Sequence, residues 1–112
     1  MNKYDLGKKA QGEGGETVLG ARDLSTHSIY LIYGILKKGD PARKLRPGRG
    51  HEEIICVATG SMTLSGGEDS QELGEGEAIY LKGEESFMAE AVTDVCVYVA
   101  AGGHSPGGEH HH

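Results

Sequence analysis

The chain has 112 residues, enough for one domain with one hydrophobic core. Its 17 acidic residues outnumber its 11 basic residues, for a net charge of -6. This argues against a general surface for nucleic acids or anionic membranes, because Lys and Arg bind such partners. The N-terminus has no apolar signal segment and no window is long enough to span a bilayer, so we expect a cytoplasmic protein.

Glycine-rich turns punctuate most of the chain, which has 19 glycines and only 3 prolines. Residues 1–16 are polar and are predicted to form an irregular N-terminal arm. Residues 17–101 alternate short runs of strand formers with turns, and no window carries apolar residues at helical spacing. Residues 102–112 read as a flexible tail rich in Gly and His. The pattern of residues 17–101 therefore predicts an all-β barrel or sandwich.

The first clear strand is predicted over residues 27–36, after a weaker one at residues 17–21. The run is apolar and rich in Ile and Tyr, which favours a strand covered on both faces. Alternation places His27 and Tyr33 on one face and Tyr30 on the other. We expect one face to line the barrel and the other to meet a partner sheet. A second copy of the chain is the economical source of that sheet, so a homodimer is predicted.

A basic loop at residues 37–50 separates this strand from the next. A solvated loop is the ordinary interpretation of such a charge run, and attraction of a small anion is the alternative. The later strands are predicted at residues 53–58, 61–64, 72–73, 78–81, 87–91 and 95–101, with a hairpin turn at Gly66 and Gly67. The loop holds six of the eleven basic residues: Lys37, Lys38, Arg43, Lys44, Arg46 and Arg49.

The stretch from His51 to Gly60 joins metal-competent side chains to a run of strand formers and a turn glycine. It resembles the first motif of the cupin superfamily, which runs Gly, five residues, His-x-His, three or four residues, Glu, six residues, Gly. Glu53 and Gly60 reproduce the Glu-to-Gly spacing. The two histidine positions fall on Pro47 and Arg49.

The second cupin motif runs Gly, five residues, Pro-x-Gly, two residues, His. Counted from Gly76, it places Lys82 at the proline, Glu84 at the glycine and Phe87 at the histidine. The resemblance covers roughly residues 27–101 and implies an all-β double-stranded β-helix, the jelly-roll or cupin barrel. Of the four usual metal ligands of the family, only Glu53 keeps its place. The dioxygenase, isomerase and decarboxylase activities of the family generally depend on that site.

The first functional hypothesis is a barrel that binds a small molecule or anion without the usual metal. By the resemblance Arg49 points into the barrel, where its guanidinium can hold a carboxylate or phosphate with two parallel hydrogen bonds. The alternative for Arg49 is an ion pair with Glu52 or Glu53 that closes the mouth. The predicted pocket is lined by Arg49, His51, Glu53, Tyr33 and Phe87, with Tyr30 nearby.

The second hypothesis is a metalloenzyme with a rearranged site for one divalent transition metal. His51 and Glu53 supply two donors, and His27 is the first candidate for a third, with Cys96 or Glu52 behind it. Residues two apart on a strand are about 6.6 Å apart along its axis, so a shared metal needs side-chain reach or a bend.

A third possibility is a dimeric, non-catalytic interaction module, marked by a filled pocket and a large apolar outer face.

Both cysteines, Cys56 and Cys96, lie in apolar runs and are expected to be core thiols. His110 to His112 are typical of a purification tag, whereas a native metal-binding role for His104 stays open.

Overall fold

The computed structural model of the protein describes residues 1–105. Strands with alternating inward and outward side chains account for most of this part of the chain. The helices are α1 (Leu6–Gly12) and α2 (Ala21–Leu24). The strands are β1 (Glu16–Leu19), β2 (Ile29–Lys37), β3 (Arg43–Leu45), β4 (His51–Thr59), β5 (Met62–Gly66), β6 (Asp69–Leu73), β7 (Ala78–Lys82), β8 (Phe87–Ala91) and β9 (Val95–His104).

The strands form two facing antiparallel sheets. One sheet has the order β1-β2-β9-β4-β7, and the other has the order β3-β8-β5-β6. The longest strands, β2, β9 and β4, lie side by side in the middle of the five-stranded sheet. This architecture confirms the all-β double-stranded β-helix expected from the sequence.

The hydrophobic core fills the space between the two sheets. Strand β4 shows how the alternation works, because Ile55 and Val57 point inward and are completely buried while Ile54 points outward and is exposed. The opposite sheet contributes Met62 and Leu64, both buried. Burying each such side chain stabilises the fold by about 1.5–3 kcal/mol.

The turn after β4 requires a glycine. Gly60 has a φ of 76°, in the left-handed region that side chains disfavour. A Cβ at this position would also overlap the carbonyl oxygen of Val95. The glycine that ends the first cupin motif is thus explained by backbone geometry in this chain.

Three segments differ from the sequence-based expectation. Helix α1 replaces much of the irregular arm, because the Asp5 side chain caps its start by accepting from the Lys8 backbone N–H at 3.0 Å, and Ala10 is buried. Helix α2 lies between the predicted strands at residues 17–21 and 27–36, in a part of the chain for which no helix is predicted. Strand β3 interrupts the basic loop, with Leu45 buried in the core. Neither helix of residues 1–105 is long and apolar enough to cross a membrane.

The boundary predicted at residue 102 falls inside β9, which continues to His104. Strand β9 pairs with β2 on one side and β4 on the other, so its last residues gain ladder hydrogen bonds that the sequence alone does not reveal. The rest of the predicted tail, residues 106–112, lies outside the described residues.

Candidate functional site

Two tyrosines of the inner face each lie opposite a glycine. In the ladder between β2 and β9, Tyr30 is paired with Gly102 and Tyr98 with Gly34. A Cβ at Gly102 would overlap the Tyr30 ring, and a Cβ at Gly34 would overlap the Tyr98 ring. Each ring therefore crosses the neighbouring strand over the space that a side chain would fill.

Both tyrosine hydroxyls reach a glutamate one strand further away. Tyr30 donates to Oε1 of Glu53 on β4 at 2.6 Å, and Glu53 is itself the ladder partner of Gly102. Tyr98 donates to Oε2 of Glu16 on β1 at 2.5 Å, and Glu16 is the partner of Gly34. The five-stranded sheet thus carries two Glu-Gly-Tyr rows, one centred on Gly102 and one on Gly34.

Glu53 is the more buried of the two carboxyl groups, with only 3% of the residue exposed. Burial raises the pKa of Glu53, and the negative charge of Glu16 adds to that increase. The Tyr30 hydrogen bond and the charge of His51 act in the opposite direction. Glu53 therefore holds its proton more strongly than an exposed glutamate does.

The Tyr30 hydroxyl is the hydrogen-bond donor to Glu53 in the row centred on Gly102. Burial, followed by the hydrogen bond and negative charge of Glu53, raises the pKa of Tyr30 well above its usual value. The hydroxyl consequently remains protonated across the physiological range and continues to donate to Glu53.

Arg43 distinguishes the row of Glu16 from the row of Glu53. Its guanidinium donates to the Tyr98 hydroxyl at 3.1 Å and to the carbonyls of Gly15 and Ile35 at 3.2 and 3.3 Å. Because Arg43 belongs to β3, these bonds join the two sheets. Both glutamates accept from a tyrosine, but only the tyrosine of the Glu16 row is itself bonded to an arginine among residues 1–105. The Glu16 row therefore has a structural role in joining the sheets.

Both glutamates face a cavity of about 80 Å³ between the sheets. One water needs roughly 10–15 Å³, so the cavity holds a molecule of only a few non-hydrogen atoms. Its lining combines apolar side chains with carboxyl, hydroxyl and cationic residues: Glu16, Ile32, Lys44, Leu45, Arg46, Glu53, Ile55, Tyr98 and Ala100. The arrangement places acceptors on the five-stranded sheet and cationic residues on and just after β3 of the other.

His51 is the first residue of β4 and lies next to this site. Its ring meets the Tyr30 ring edge-on, with the centroids 5.9 Å apart. On the other side it stacks on His104, with a centroid separation of 4.8 Å. His51 and His104 are ladder partners, so the pairing of β4 with β9 brings together two histidines that are 53 positions apart in the sequence.

The structure separates three members of the predicted pocket from Glu53. Arg49 is exposed in the turn before β4. Tyr33 is three positions after Tyr30 on β2, so its side chain points to the opposite, outer face of the sheet. There its hydroxyl is close to Gly7 of α1. Phe87 covers Gly66 and lines a different cavity of about 120 Å³. His51 remains near Glu53, and Tyr30, which was predicted to lie near the pocket, donates a hydrogen bond to Glu53.

The alternative role predicted for Arg49, an ion pair that closes the mouth, is not formed either. Within residues 1–105 the ion pairs are Lys9 with Asp23 and Arg46 with Glu84. The carbonyl of Arg49 instead accepts from Nδ1 of His51 at 3.1 Å. Arg49 thus contributes its backbone, rather than its side chain, to the surroundings of Glu53.

The metal donors predicted with His51 and Glu53 are dispersed. His27 is exposed before the start of β2, Glu52 is on the outer face of β4, and Cys96 is eight residues, or roughly 26 Å, before His104 along β9. No group of three or more His, Cys, Asp or Glu suited to a metal occurs in the described part of the chain.

The metal centre usual in cupins does not fit these residues. By the motif resemblance, Pro47, Arg49 and Phe87 stand at three of its four ligand positions, and Glu53, at the fourth, accepts a hydrogen bond from Tyr30. No step of a reaction is therefore assigned to that centre.

Sequence reasoning missed Glu16 and Arg43, which lie in segments predicted to be an arm and a loop. The available signal was the pair of glycines, Gly34 and Gly102, because a glycine in an apolar strand often marks a close approach. Alternation placed Tyr30 on the face opposite Tyr33, which is where the structure has it. Nothing local identifies Glu16 as the partner of Tyr98, 82 positions away.

No protein-family model and no curated protein matches the sequence. Among solved structures, an RmlC-like cupin family protein with a double-stranded β-helix fold, from Methanocaldococcus jannaschii, aligns with a TM-score of 0.67 and 14% identity over 93% of this chain and 91% of that chain. A cupin protein from Bacteroides fragilis aligns with a TM-score of 0.67 and 13% identity over 80% and 76% of the two chains.

The iron(II) form of HppE is also similar, with a TM-score of 0.56 and 15% identity over 66% of this chain. The alignment spans only 45% of the HppE chain. At these identities the likeness concerns the fold alone.

We predict that Tyr30→Phe lowers the free energy of unfolding by about 1–3 kcal/mol, because the buried Glu53 oxygen loses its donor. Urea unfolding at neutral pH measures the change. Tyr80→Phe is the matched control, since Tyr80 donates to Glu52 at 2.7 Å on the exposed outer face. The control should unfold like the wild type. Equal losses of stability in both variants, or no loss in Tyr30→Phe, would contradict the role of Tyr30 as the donor that stabilises buried Glu53.

Proposed function

The protein has the cupin fold, and on that premise we propose that it binds a small polar molecule between its two sheets, without the metal centre usual in that fold. The observation that carries the proposal is the buried carboxyl group of Glu53 on the wall of the cavity. In the hydrogen bonds among residues 1–105, Glu53 takes part only through Oε1, with Tyr30 as the donor. Its Oε2 is the group that we assign to the ligand.

The chemistry of the lining favours a small hydroxy acid. A ligand hydroxyl donates to Oε2 of Glu53 and takes the place of water there. The ligand carboxylate lies towards Lys44 and Arg46, which line the same cavity and supply charge-assisted hydrogen bonds. The anion expected from the basic loop is thus retained in the proposal, with Lys44 and Arg46 in place of Arg49.

A metal-dependent enzyme that uses His51 and Glu53 is the second candidate function. It is favoured by the position of both residues on the inner face of β4, where the charge of His51 acts on Glu53. We place it second because the described residues bring no third His, Cys, Asp or Glu to a common site with them.

We predict that glycolate, lactate or glycerate raises the melting temperature more than acetate or propionate, which lack the hydroxyl. Ligand at 100 times its Kd stabilises the folded state by about 2.7 kcal/mol, which a thermal-shift measurement resolves. Glu53→Gln should abolish the preference for the hydroxy acids, because the amide presents a different set of donors and acceptors to the ligand.

Glu52→Gln is the control for this experiment, since Glu52 lies one residue away on the opposite face of β4. It should keep the wild-type preference. The proposal is wrong if none of the hydroxy acids stabilises the wild type, or if Glu53→Gln retains the full preference.

We also propose that the outer face of the five-stranded sheet pairs with a second copy of the chain. One row of this face runs across four strands through Tyr80, Ile54, Ala101 and Leu31. Ile54 and Tyr80 are 53% and 54% exposed. Exposed apolar surface of this kind is typical of an interaction site, and a sheet face can pack on an identical face about a twofold axis.

We predict that the wild type sediments as a dimer and that Ile54→Glu sediments as a monomer, because a charge in the centre of an apolar interface is left without solvent. Met88→Glu is the control, since Met88 is 42% exposed on the outer face of the four-stranded sheet. This variant should remain dimeric. A monomeric wild type at high concentration, or a dimeric Ile54→Glu, would refute the interface.

A further inference from the structure

Two imidazole rings meet at one end of the β4–β9 ladder. His51 and His104 are directly opposite each other, and the Cβ atoms of such partners are about 4.5–5.5 Å apart. The backbone there is held firmly, because the N–H of Ser105, just after β9, donates to the carbonyl of Gly50 at 2.8 Å. The pair is therefore fixed on both strands.

The ring of His51 is oriented for a ligand at its second nitrogen. Its Nδ1 is 3.1 Å from the carbonyl of Arg49, and a carbonyl oxygen only accepts, so Nδ1 is the donor. In the neutral ring this leaves the lone pair on Nε2. Metal-binding histidines commonly donate their other ring N–H to a backbone carbonyl in this way.

The separation of the rings is compatible with a shared ion. A zinc ion about 2.0–2.1 Å from each nitrogen lies roughly 3 Å from each ring centre, so centres 4.8 Å apart correspond to an angle of about 100° at the ion. That angle is close to tetrahedral. The ring of His104 needs to turn from the stacked orientation, and the exposure of His104 leaves room for that rotation.

We propose that His51 and His104 together bind one divalent transition metal ion, such as Zn²⁺ or Cu²⁺, at this end of the barrel. Two imidazole nitrogens suit such ions, and water fills the other positions. Glu53 lies two residues from His51 on the same face and adds a favourable negative charge. The site uses histidines outside the motif positions of the cupin family, and it does not depend on ligand binding in the cavity.

The test is calorimetric titration of the full chain with ZnCl₂, and separately with CuCl₂. The terminal histidines interfere with such a titration, so the background protein carries His110→Ala, His111→Ala and His112→Ala. We expect one ion per chain. His51→Ala and His104→Ala should each weaken binding at least tenfold, whereas His27→Ala, at an exposed position before β2, should change it less than twofold.

Electron paramagnetic resonance of the Cu²⁺ complex gives a second readout. Two nitrogen ligands are expected in the background protein and one in each single variant. Circular dichroism of the metal-free variants establishes that they are folded. His51→Gln and His104→Gln replace the alanine variants if the latter unfold. Absence of saturable binding, or unchanged affinity in both histidine variants, would overturn the proposal.

Discussion

A carboxyl group that is removed from water has to be compensated by the protein, and in this barrel the compensation for Glu53 is the hydroxyl of Tyr30. The hydroxyl reaches Glu53 only because Gly102 leaves the strand between them without a side chain. The same construction recurs with Glu16, Gly34 and Tyr98. These two rows fix the register of the central strands, since a shift of one residue would move each tyrosine away from its glycine.

The two rows differ in what they leave available for binding. Arg43 joins the Tyr98 row to β3 and to two backbone carbonyls, so that row stabilises the closure of the two sheets. Within residues 1–105 no arginine bonds to the row of Glu53, and Glu53 lines, with Glu16, a cavity whose other side carries Lys44 and Arg46. The proposed recognition of a hydroxy acid follows from this contrast between a row that Arg43 braces and a row whose glutamate keeps Oε2 for a ligand.

Local sequence patterns predicted the strands but not the contacts between distant strands. Alternation and glycine spacing located the barrel, and the Glu53–Gly60 spacing identified β4, one of the inner strands of the five-stranded sheet. Arg49 was assigned to the pocket from its motif position, which does not reveal that it lies exposed in the turn before β4. Tyr33 was assigned as an aromatic residue of the same strand as Tyr30, although it lies on the opposite, outer face. The pairing of His51 with His104, and of Tyr98 with Glu16, depends on which strands become neighbours, and that is decided by packing of the whole barrel.

The most direct test of the account is a titration of the Glu53 side-chain carboxyl carbon by ¹³C NMR, with the signal assigned by its loss in Glu53→Gln. Burial and the nearby Glu16 raise the pKa of Glu53 in this account, so its midpoint should lie above the usual value of about 4.3. A midpoint at or below that value would mean that burial does not dominate the pKa of Glu53. That result would contradict the desolvated carboxyl group on which the proposed site depends.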